Sequence, residues 1–337
     1  MSQTITSKDL DDTKNRIFFI MGTSRSGSTL LQSMLSSHSE LIVPPETHFF
    51  HSYQHLRDEY NRTTEKSSFR DGLVDFWYDH KTRIRDLDLQ KEDVLQLANN
   101  LNLTAPLDLF ILQLTMYRIQ RDKPILGEKT PRHMLHIPEI LAAFPDAKII
   151  SLFRDPRAKA YSEIKTKFGS PSVFVSAKRW RKYVQVHQRF EKELSDEQYM
   201  MLRYTDLISD VEGVLQKICA FLGVSFQEQM LNYYNRDEKG FADGENSWKK
   251  QTLKPIQKNK NKEWKSALTD WQIVLIEKHT GKYLKYMNYQ KWSEASFSFP
   301  KKMYWQAIDF SRSVLATLSG SRGEGYSDPN KFTLNRN

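Results

Sequence analysis

The sequence predicts an α/β fold in which a P-loop-like parallel sheet is flanked by helices on both faces. Three observations predict it. Short apolar runs with the length of buried strands recur along the chain. Segments with apolar residues at helical spacing separate these runs, an alternation that favours right-handed crossovers. No internal repeat or sharp change of composition divides the 337 residues, so we expect a single domain with helical insertions and a C-terminal helical extension.

The first unit is predicted to be strand, loop and helix. Residues 16–21 (RIFFIM) are short, largely apolar and ended by Gly22, as is typical of a fully buried strand. Residues 22–29 (GTSRSGST) are small and polar, which indicates a tight loop. Apolar residues then recur at helical spacing from Leu30 to Leu35, which predicts a helix after the loop.

The same two patterns predict the remaining elements. Apolar runs predict strands at 124–127, 147–153 and 200–202, and the run at 147–153 is the clearest central strand. Helices are predicted in the segments 47–121 with a break at Pro106, 133–143, the stretch after Pro156, a long basic stretch over 172–194, 206–222 and 270–287.

Composition sets the boundaries of the domain. The polar residues 1–15 are predicted to form a flexible arm, and residues 16–290 the folded domain. Residues 291–318 are predicted to be a C-terminal extension, in which 303–318 have the spacing of an amphipathic helix. Such a helix either makes peripheral contact with a membrane or covers the core. The Gly- and Ser-rich residues 319–337 are expected to form a mobile tail.

Composition also excludes several classes of protein. With 39% hydrophobic and 12% aromatic residues the chain can fill a core, which excludes wholesale disorder. The single cysteine, Cys219, excludes an intramolecular disulfide framework and a cysteine-rich zinc fold. The sequence shows neither a signal peptide nor a run of ~20 apolar residues that could span a membrane. A cytoplasmic protein is therefore expected.

The formal net charge of +9 indicates an anionic partner, which can be nucleic acid, a membrane surface or a small polyanion. Residues 249–265 carry seven lysines against one glutamate, so most of the surplus is concentrated in one segment. Such a concentration fits the enclosure of a small polyanion better than a broad nucleic-acid-binding face. We therefore expect no nucleic-acid partner.

The loop after the first strand has the spacing of a nucleotide-binding P-loop, with one departure. Gly22 and Gly27 are separated by four residues and followed by Ser28 and Thr29, and Ser28 stands where a P-loop has its lysine. Backbone N–H groups and the dipole at a helix N-terminus favour an anion. The loop therefore suits a phosphate, with Arg25 supplying the cation. The alternative is a Ser-rich turn that only begins a helix.

A second anion site is predicted after the strand at 147–153. Arg154 ends that strand, where ligands bind in open α/β sheets, and Ser162 follows within two helical turns. An arginine offers two parallel hydrogen bonds to a phosphate, and a serine hydroxyl adds another. The alternative interpretation is an Arg154–Asp155 ion pair, or a turn in which Asp155 and Pro156 cap the next helix.

Together these segments resemble the sulfotransferases that use 3′-phosphoadenosine 5′-phosphosulfate (PAPS). Residues 25–31 (RSGSTLL) are similar to the family's 5′-phosphosulfate loop, and residues 154–157 (RDPR) with Ser162 are similar to its 3′-phosphate site. Residues 128–133 (EKTPRH) resemble a box frequent in bacterial and protein-modifying members. The resemblance extends over residues 16–289.

The resemblance implies transfer of a sulfonate group from PAPS to a hydroxyl of a carbohydrate, lipid, peptide or small metabolite, without a metal. The implied cofactor-binding residues are Arg25, Ser26, Gly27, Ser28, Thr29, Arg154, Ser162, Tyr204 and Lys254. Tyr204 matches an adenine-contacting position; the alternative is an ordinary core tyrosine. Lys254 lies in the lysine-rich segment, which resembles the family's lid over the cofactor.

The catalytic residues implied by the resemblance are Glu46, Lys129 and Arg25. Residues 44–47 (PPET) resemble the base segment of the tyrosylprotein branch, which this chain resembles more than the cytosolic phenol and steroid enzymes. Glu46 is therefore the expected general base, with His48 as its competitor. Lys129 and Arg25 are expected to stabilise charge on the leaving phosphate. The alternatives are a helix N-terminal carboxylate for Glu46 and an ion pair with Glu128 for Lys129.

Other interpretations remain open at this stage. Three histidines, His48, His51 and His55, fall near one helix face, but the absence of companion carboxylates at metal spacing favours a polar lining of the acceptor cleft. The basic helix over 172–194 is either a solvated face or a surface that attracts an anionic acceptor. A P-loop-type ATP-dependent kinase and a non-enzymatic basic binding protein are the alternative functions. The acceptor and the oligomeric state are not predicted.

Overall fold

A five-stranded parallel sheet forms the centre of the structure, as the sequence predicts. Its strands are β1 (Phe18–Gly22), β2 (Leu41–Ile42), β3 (Ile125–Lys129), β4 (Lys148–Phe153) and β5 (Tyr199–Arg203). They lie in the order β2–β3–β1–β4–β5, and every adjacent pair is parallel. The computed structural model describes residues 5–166, 169–235, 254–257, 261–318 and 329–334.

Fifteen α-helices surround the sheet within the described ranges. They are α1 (Ser7–Arg16), α2 (Ser28–Ser36), α3 (Tyr53–Arg62), α4 (Lys66–Asp79), α5 (Lys91–Asn100), α6 (Pro106–Ile119), α7 (Ile137–Ala143), α8 (Pro156–Ile164), α9 (Val173–Glu193), α10 (Tyr204–Ser209), α11 (Val211–Leu222), α12 (Trp264–Ala267), α13 (Asp270–Thr280), α14 (Lys282–Tyr286) and α15 (Phe299–Leu318). Short 3₁₀ turns occupy Phe49–His51, Ile84–Leu87, Pro131–His136, Glu228–Asn235 and Pro329–Lys331.

Strand β1 divides the core into two layers because its side chains alternate between the faces of the sheet. Phe19 packs with one apolar cluster, which the helices α3 to α7 and α9 cover. Phe18 and Ile20 pack with the other, which α2 and α11 cover. All five residues of β1 are buried, as a strand with helices on both faces requires.

The position of β1 between β3 and β4 also places the ligand-binding crevice. The chain leaves β1 and returns first on one side and later on the other, so the strand order reverses at β1. Ligands in open α/β sheets bind at the carboxyl ends of strands beside such a reversal. The loops after β1, β3 and β4 therefore meet at one edge of the sheet.

The helical insertion between β2 and β3 begins and breaks close to where the sequence predicts. Helix α6 begins at Pro106, which is suited to the first turn because a proline lacks the N–H that a helix leaves unused there. Buried residues lie on all sides of α6, so this helix crosses the interior of the insertion. Two predicted helices begin or divide differently: the turn Pro131–His136 precedes α7, and Gly281 separates α13 from α14.

The N-terminal segment differs from the flexible arm predicted over residues 1–15. Residues Ser7–Arg16 form α1, and a reciprocal capping box between Thr6 and Asp9 begins it. Leu10 is buried, and the guanidinium of Arg118 on α6 donates to the Asp9 carbonyl. A polar sequence forms a helix here because α6 receives its one apolar side.

The C-terminal residues also differ in part from the predicted mobile tail over 319–337. Residues 329–334 return to the helical insertion, where Phe332 is buried edge-on against Phe69. His55 Nε2 donates to the Phe332 carbonyl at 2.8 Å. Residues 319–328 and 335–337 lie outside the described ranges. None of the described helices combines the length and the apolarity needed to cross a lipid bilayer.

Replacement of Gly22 by alanine is expected to destabilise the fold by roughly 2 kcal/mol or more. Gly22 has a φ of 130°, and an added Cβ would lie 2.2 Å from the Leu152 carbonyl oxygen on β4. The matched control is Gly223→Ala: φ there is 79°, and among the described residues no atom lies within 4 Å of an added Cβ. The control should lose about 1 kcal/mol from its backbone conformation alone. Urea unfolding measures both losses, and equal losses would contradict the close contact between β1 and β4.

Candidate active site

A cleft of about 1480 Å³ opens at the carboxyl ends of β1 and β4. Eight of the predicted site residues line it, and they come from four separate segments of the chain. They are Arg25, Gly27, Ser28, Thr29, Glu46, Arg154, Ser162 and Tyr204. Ser26 and Lys129 are fully buried behind the lining residues. The fold therefore brings together residues up to 179 positions apart in the sequence (Arg25 to Tyr204).

The loop between β1 and α2 has the backbone of an anion-binding turn. Arg25 and Gly27 have positive φ values of 63° and 91°, which turn successive N–H groups toward the start of α2. The buried hydroxyls of Thr23 and Ser26 hydrogen-bond to each other beneath the loop. The ring of Tyr204 covers Gly27 so closely that a Cβ would lie 2.4 Å from it. Position 27 therefore requires glycine both for its φ and for this contact.

The two predicted anion sites are adjacent, and Arg25 joins them. The Arg25 Nε donates to the Ser162 hydroxyl at 3.0 Å, and its carbonyl accepts from the Arg154 guanidinium at 3.3 Å. The guanidinium of Arg154 also lies over the Tyr204 ring, 4.7 Å from its centroid, and donates to the Asn261 side chain at 2.9 Å. One small ligand can therefore contact both sites.

The alternative Arg154–Asp155 ion pair is replaced by a different arrangement. The Asp155 carboxylate accepts from the Arg157 backbone N–H at the start of α8, so the helix cap predicted as an alternative is present. The same carboxylate pairs with the Arg157 guanidinium, which also contacts Glu277. Arg157 is thus held in a buried ion-pair network that fixes α8 against α13. The recorded side-chain hydrogen bonds of Arg154 go instead to the neutral oxygens of Asn261 and Arg25.

Two buried guanidiniums therefore face the same end of the cleft. Burial lowers the pKa of Arg25, and the neighbouring Arg154 lowers it further. Burial also lowers the pKa of Arg154. A lowered arginine pKa means that the surroundings disfavour its positive charge. A bound anion would relieve this cost, so the electrostatics of the site favour a negatively charged ligand.

A buried carboxylate that the sequence did not reveal supports the same loop. Glu163 follows the predicted Ser162, accepts from the Ser24 hydroxyl at 2.7 Å and pairs with the fully buried Lys159 at 2.8 Å. Burial raises the pKa of Glu163, but Lys159 and the other donors lower it more, so the carboxyl is held below its usual range. The i, i+4 spacing of Lys159 and Glu163 was the one available signal, and it usually marks an exposed helix face.

Glu46, the predicted general base, lies in the cleft between two cationic or protonatable partners. Its Oε1 accepts from the fully buried Lys129 at 2.6 Å, and its Oε2 accepts from His48 Nε2 at 3.1 Å. The carboxylate is close enough to Arg25 to raise the pKa of that guanidinium against the effect of burial. The alternative Lys129–Glu128 ion pair is therefore not the arrangement seen. Lys129 and Glu128 are consecutive on β3, so their side chains point to opposite faces.

Glu128 forms a second buried network on the other side of β3. Its Oε1 accepts from the hydroxyls of Thr47 and Thr130, and its Oε2 accepts from His133 Nδ1 at 2.7 Å. His133 Nε2 accepts from the Phe50 backbone N–H, so this nitrogen carries no proton and the imidazole is neutral. Burial raises the pKa of Glu128, but its donors lower it more, and the carboxyl stays ionised.

The histidines near the base stack with one another. The ring of His51 lies 5.1 to 5.6 Å from the rings of His48, His133 and His136. Burial and the neighbouring histidines lower the pKa of His51 to about 2, so its ring is neutral. Over the described ranges, no group of three or more histidine, cysteine or acidic side chains has an arrangement that would hold a metal ion. The predicted third member, His55, contacts the C-terminal segment instead.

The outer part of the cleft is lined by the basic helix α9. Its cationic lining residues are Lys178, Arg179, Arg181 and Lys182. The three carboxylates that line the cleft each have a cation beside them: Glu46 contacts Lys129, Glu163 contacts Lys159, and Glu263 contacts Lys165 at 3.2 Å. The basic face of α9 therefore borders the cleft, and the cleft carries an excess of positive charge.

Lys254 is the predicted site residue that the structure does not bring into the cleft. Its side chain is exposed, its carbonyl accepts from the Tyr233 hydroxyl at 2.8 Å, and the next three residues, 255–257, line the cleft. Most of the lysine-rich segment 249–265 around it, residues 249–253 and 258–260, lies outside the described ranges.

Comparisons with known proteins agree with the geometry. A model of the sulfotransferase family matches residues 18–228. The chain is 24% identical over 222 residues to a protein-tyrosine sulfotransferase of Drosophila melanogaster, and 24% identical over 237 residues to protein-tyrosine sulfotransferase A of Caenorhabditis elegans. The alignments cover 64% and 68% of this chain, but only 40% and 56% of those relatives. The chain thus spans about half the length of these two relatives.

Two solved structures share the fold over most of its length. The sulfotransferase domain of the Synechococcus PCC 7002 olefin synthase superposes with a TM-score of 0.56 at 25% identity. The sulfotransferase domain from the curacin biosynthetic pathway superposes with a TM-score of 0.57 at 22% identity. Each match covers 82% of this chain and 98% of the other.

Replacement of Glu128 by glutamine is expected to cost roughly 1–3 kcal/mol of stability, because one oxygen that accepts hydrogen bonds becomes a donor facing other donors. The folded state lowers the pKa of Glu128 from 4.5, so its contribution is complete above pH 4.5 and is lost as the pH falls through the folded-state value. The difference between variant and wild type in urea unfolding should therefore shrink in acid. The matched control is Glu139→Gln, whose carboxylate is 41% exposed beside His136 and should change stability little. A difference that is independent of pH would contradict an ionised Glu128.

Proposed function

The chain belongs to the sulfotransferase family, and from this premise we propose that it transfers a sulfonate group from PAPS to a hydroxyl group of an acceptor. The observation that carries the proposal is the contact between the two anion sites through Arg25. PAPS has a 3′-phosphate and a 5′-phosphosulfate on one ribose, so its recognition requires two adjacent anion sites. A single triphosphate chain requires only one.

The residues present fit this donor. The N–H groups of the loop 25–29 at the start of α2 would bind the 5′-phosphosulfate. Arg154 and Ser162 would bind the 3′-phosphate, with the guanidinium providing paired donors. Tyr204, whose ring lies between Gly27 and the Arg154 guanidinium, offers its aromatic surface to the adenine. The lowered pKa values of the two buried arginines support an anionic ligand at this position.

The proposed reaction is an in-line displacement at sulfur. The acceptor oxygen forms a bond to sulfur while the bond from sulfur to the bridging phosphate oxygen breaks. The acceptor hydroxyl gives its proton to Glu46, and adenosine 3′,5′-bisphosphate leaves with the bridging electron pair. Negative charge that grows on the leaving phosphate would be stabilised by Arg25, Lys129 and the loop N–H groups. The reaction as written requires no metal.

Glu46 is better supported as the base than His48. Lys129 contacts the carboxylate at 2.6 Å, which favours its ionised form, and the other oxygen faces His48. His48 Nε2 donates to that oxygen, so this nitrogen carries a proton in the structure and is not poised to accept one. We propose that His48 orients Glu46 and that Lys129 keeps it ionised until the donor binds.

The basic lining of the cleft supports an acceptor with negative groups near its hydroxyl. Four cations of α9 border the cleft beyond the two arginines assigned to the donor. The attraction of anionic molecules into a cleft by such a row increases the rate of association. The acceptor class stays a carbohydrate, lipid, peptide or small metabolite. We also propose a cytoplasmic location, which the single cysteine supports, and peripheral membrane contact through residues 303–318, with no nucleic-acid partner.

Ligand binding separates this function from an ATP-dependent kinase. Adenosine 3′,5′-bisphosphate should raise the melting temperature in a thermal-shift assay more than Mg-ATP does; a ligand at 100 times its Kd stabilises by about 2.7 kcal/mol. Ser162→Ala should weaken binding of the bisphosphate by about tenfold through the lost hydrogen bond. Ser209→Ala, on the exposed end of α10, is the matched control and should bind as wild type. A shift with Mg-ATP and none with the bisphosphate would refute the proposal.

Replacement of Glu46 by glutamine tests the base. Turnover should fall by roughly 10²–10⁴-fold, because the amide cannot accept the proton, while the Kd for adenosine 3′,5′-bisphosphate should stay unchanged. His48→Asn should reduce turnover less, since it removes only an orienting contact. The matched control for the charge is Glu197→Gln, whose side chain is exposed and distant in sequence from the cleft. Near-normal turnover in Glu46→Gln together with an inactive His48→Asn would transfer the role to His48.

A further inference from the structure

Helix α15 presents its apolar side to solvent. Nine large hydrophobic side chains are exposed in the part of the chain that the structure describes, and seven of them lie on α15. These seven are Phe299, Met303, Tyr304, Phe310, Val314, Leu315 and Leu318, with exposed fractions from 42% to 78%. At 100° per residue they occupy one side of the helix. A surface helix normally shows the opposite arrangement, with its apolar side turned to the core.

The orientation of α15 is fixed by polar contacts on its inner side. Asp309 is fully buried and accepts from the Ser172 hydroxyl and from the backbone N–H groups of Val173 and Phe174. These N–H groups belong to the first turn of α9, so Asp309 satisfies donors that α9 leaves unpaired. Trp305 stacks on Trp271 of α13, with centroids 4.9 Å apart. Rotation of the helix to bury its apolar side would break all of these contacts.

Cations border the exposed apolar side. Asp309 is the one acidic residue of α15 and is buried, whereas Lys301, Lys302 and Arg312 make the helix basic. Neighbouring helices add cations at the same place: Lys278 Nζ lies 5.9 Å from the centroid of the Phe299 ring, and Lys178 of α9 lies beside Phe174. The ring of Phe174 in turn meets that of Phe310 edge-on.

We propose that this side of α15 docks the protein on a lipid bilayer that contains anionic headgroups. Apolar side chains enter the boundary of the acyl region while lysines and arginines contact the headgroups. Charge favours lipid over a second copy of this chain. A symmetric pair of such helices would bring the same cations together, with the acidic residue of each buried. The spacing along a 20-residue helix, about 30 Å, is also that of a helix lying in the membrane plane.

The position of the docking side relates to the proposed function, on which this step depends. Phe310 lies on the exposed side of α15 and also lines the cleft, as do Phe174 and Lys178. The cleft therefore opens beside the docking side. A hydroxyl acceptor held at the lipid surface would reach Glu46 through this opening, so we infer that the acceptor is membrane-borne.

Flotation of the full chain with lipid vesicles tests the docking without any turnover. The protein should bind vesicles of phosphatidylcholine mixed with phosphatidylserine at least tenfold better than vesicles of phosphatidylcholine alone, and added salt should weaken the binding. Leu315→Glu/Leu318→Glu should reduce binding more than tenfold, since two apolar contacts are replaced by charges that the headgroups repel. Both leucines are among the most exposed residues, so the fold should be unaffected.

The matched control adds the same charge elsewhere. Gln96→Glu/Gln216→Glu lies on exposed positions of α5 and α11 and should bind vesicles as wild type. Wild-type protein that binds neither vesicle, or a Leu315/Leu318 variant that binds equally well, would refute the docking. A wild-type dimer in light scattering that the variant dissociates, with no vesicle binding, would assign the surface to a second copy.

Turnover gives an independent result. With donor present, a membrane-borne acceptor should be modified more slowly by the Leu315→Glu/Leu318→Glu variant, and binding of adenosine 3′,5′-bisphosphate should be unchanged. Vesicle binding without any sulfonate transfer would support the docking and refute the proposed function. Equal turnover of a membrane-borne acceptor by wild type and variant would refute the membrane-borne acceptor.

Discussion

The ion pair between Lys129 and Glu46 is the interaction on which the arrangement of the cleft depends. Lys129 is fully buried on β3, and a buried ammonium without a partner is too costly to keep. Glu46 must therefore lie over the end of β3, at 2.6 Å from the ammonium. The neighbouring Thr47 is held by Glu128 on the opposite side of the strand. Two consecutive ionisable residues of one strand thus fix two consecutive residues of the loop that carries the base.

The donor side of the cleft depends on the opposite constraint, because there like charges are brought together. Arg25 and Arg154 lower their stability as cations by burial, and Arg154 adds to the cost at Arg25. The positive φ of Arg25 adds strain to the same loop. Glu163 holds that loop through Ser24 and takes its own compensation from Lys159. The fold thus carries an unfavourable charge arrangement that an anionic ligand would turn into a favourable one.

Local patterns in the sequence were sufficient for the sheet and for the anion loop, and they failed where the outcome depends on distant partners. Runs of apolar residues predict β1 and β4 because a strand covered on both faces needs them. Nothing local shows that α1 is ordered, since its burial depends on α6 about 100 residues away. The same holds for Phe332 and for Glu163, whose roles come from contacts with Phe69 and Ser24. Lys254 was predicted from its basic segment alone, and such a composition does not specify which lysine faces the cleft.

The exposed side of α15 follows from the same rule that governs the cleft, namely that a buried charge decides what surrounds it. Asp309 is the acidic residue of a helix whose other charges are basic, and it finds donors at the first turn of α9. That contact commits the polar side of α15 to the interior and leaves the apolar side outward. The same contact holds the beginning of α9, the helix that supplies the basic lining of the cleft. One carboxylate therefore sets both the apolar surface and the position of the cationic row beside it, which is why the two meet at the opening of the cleft.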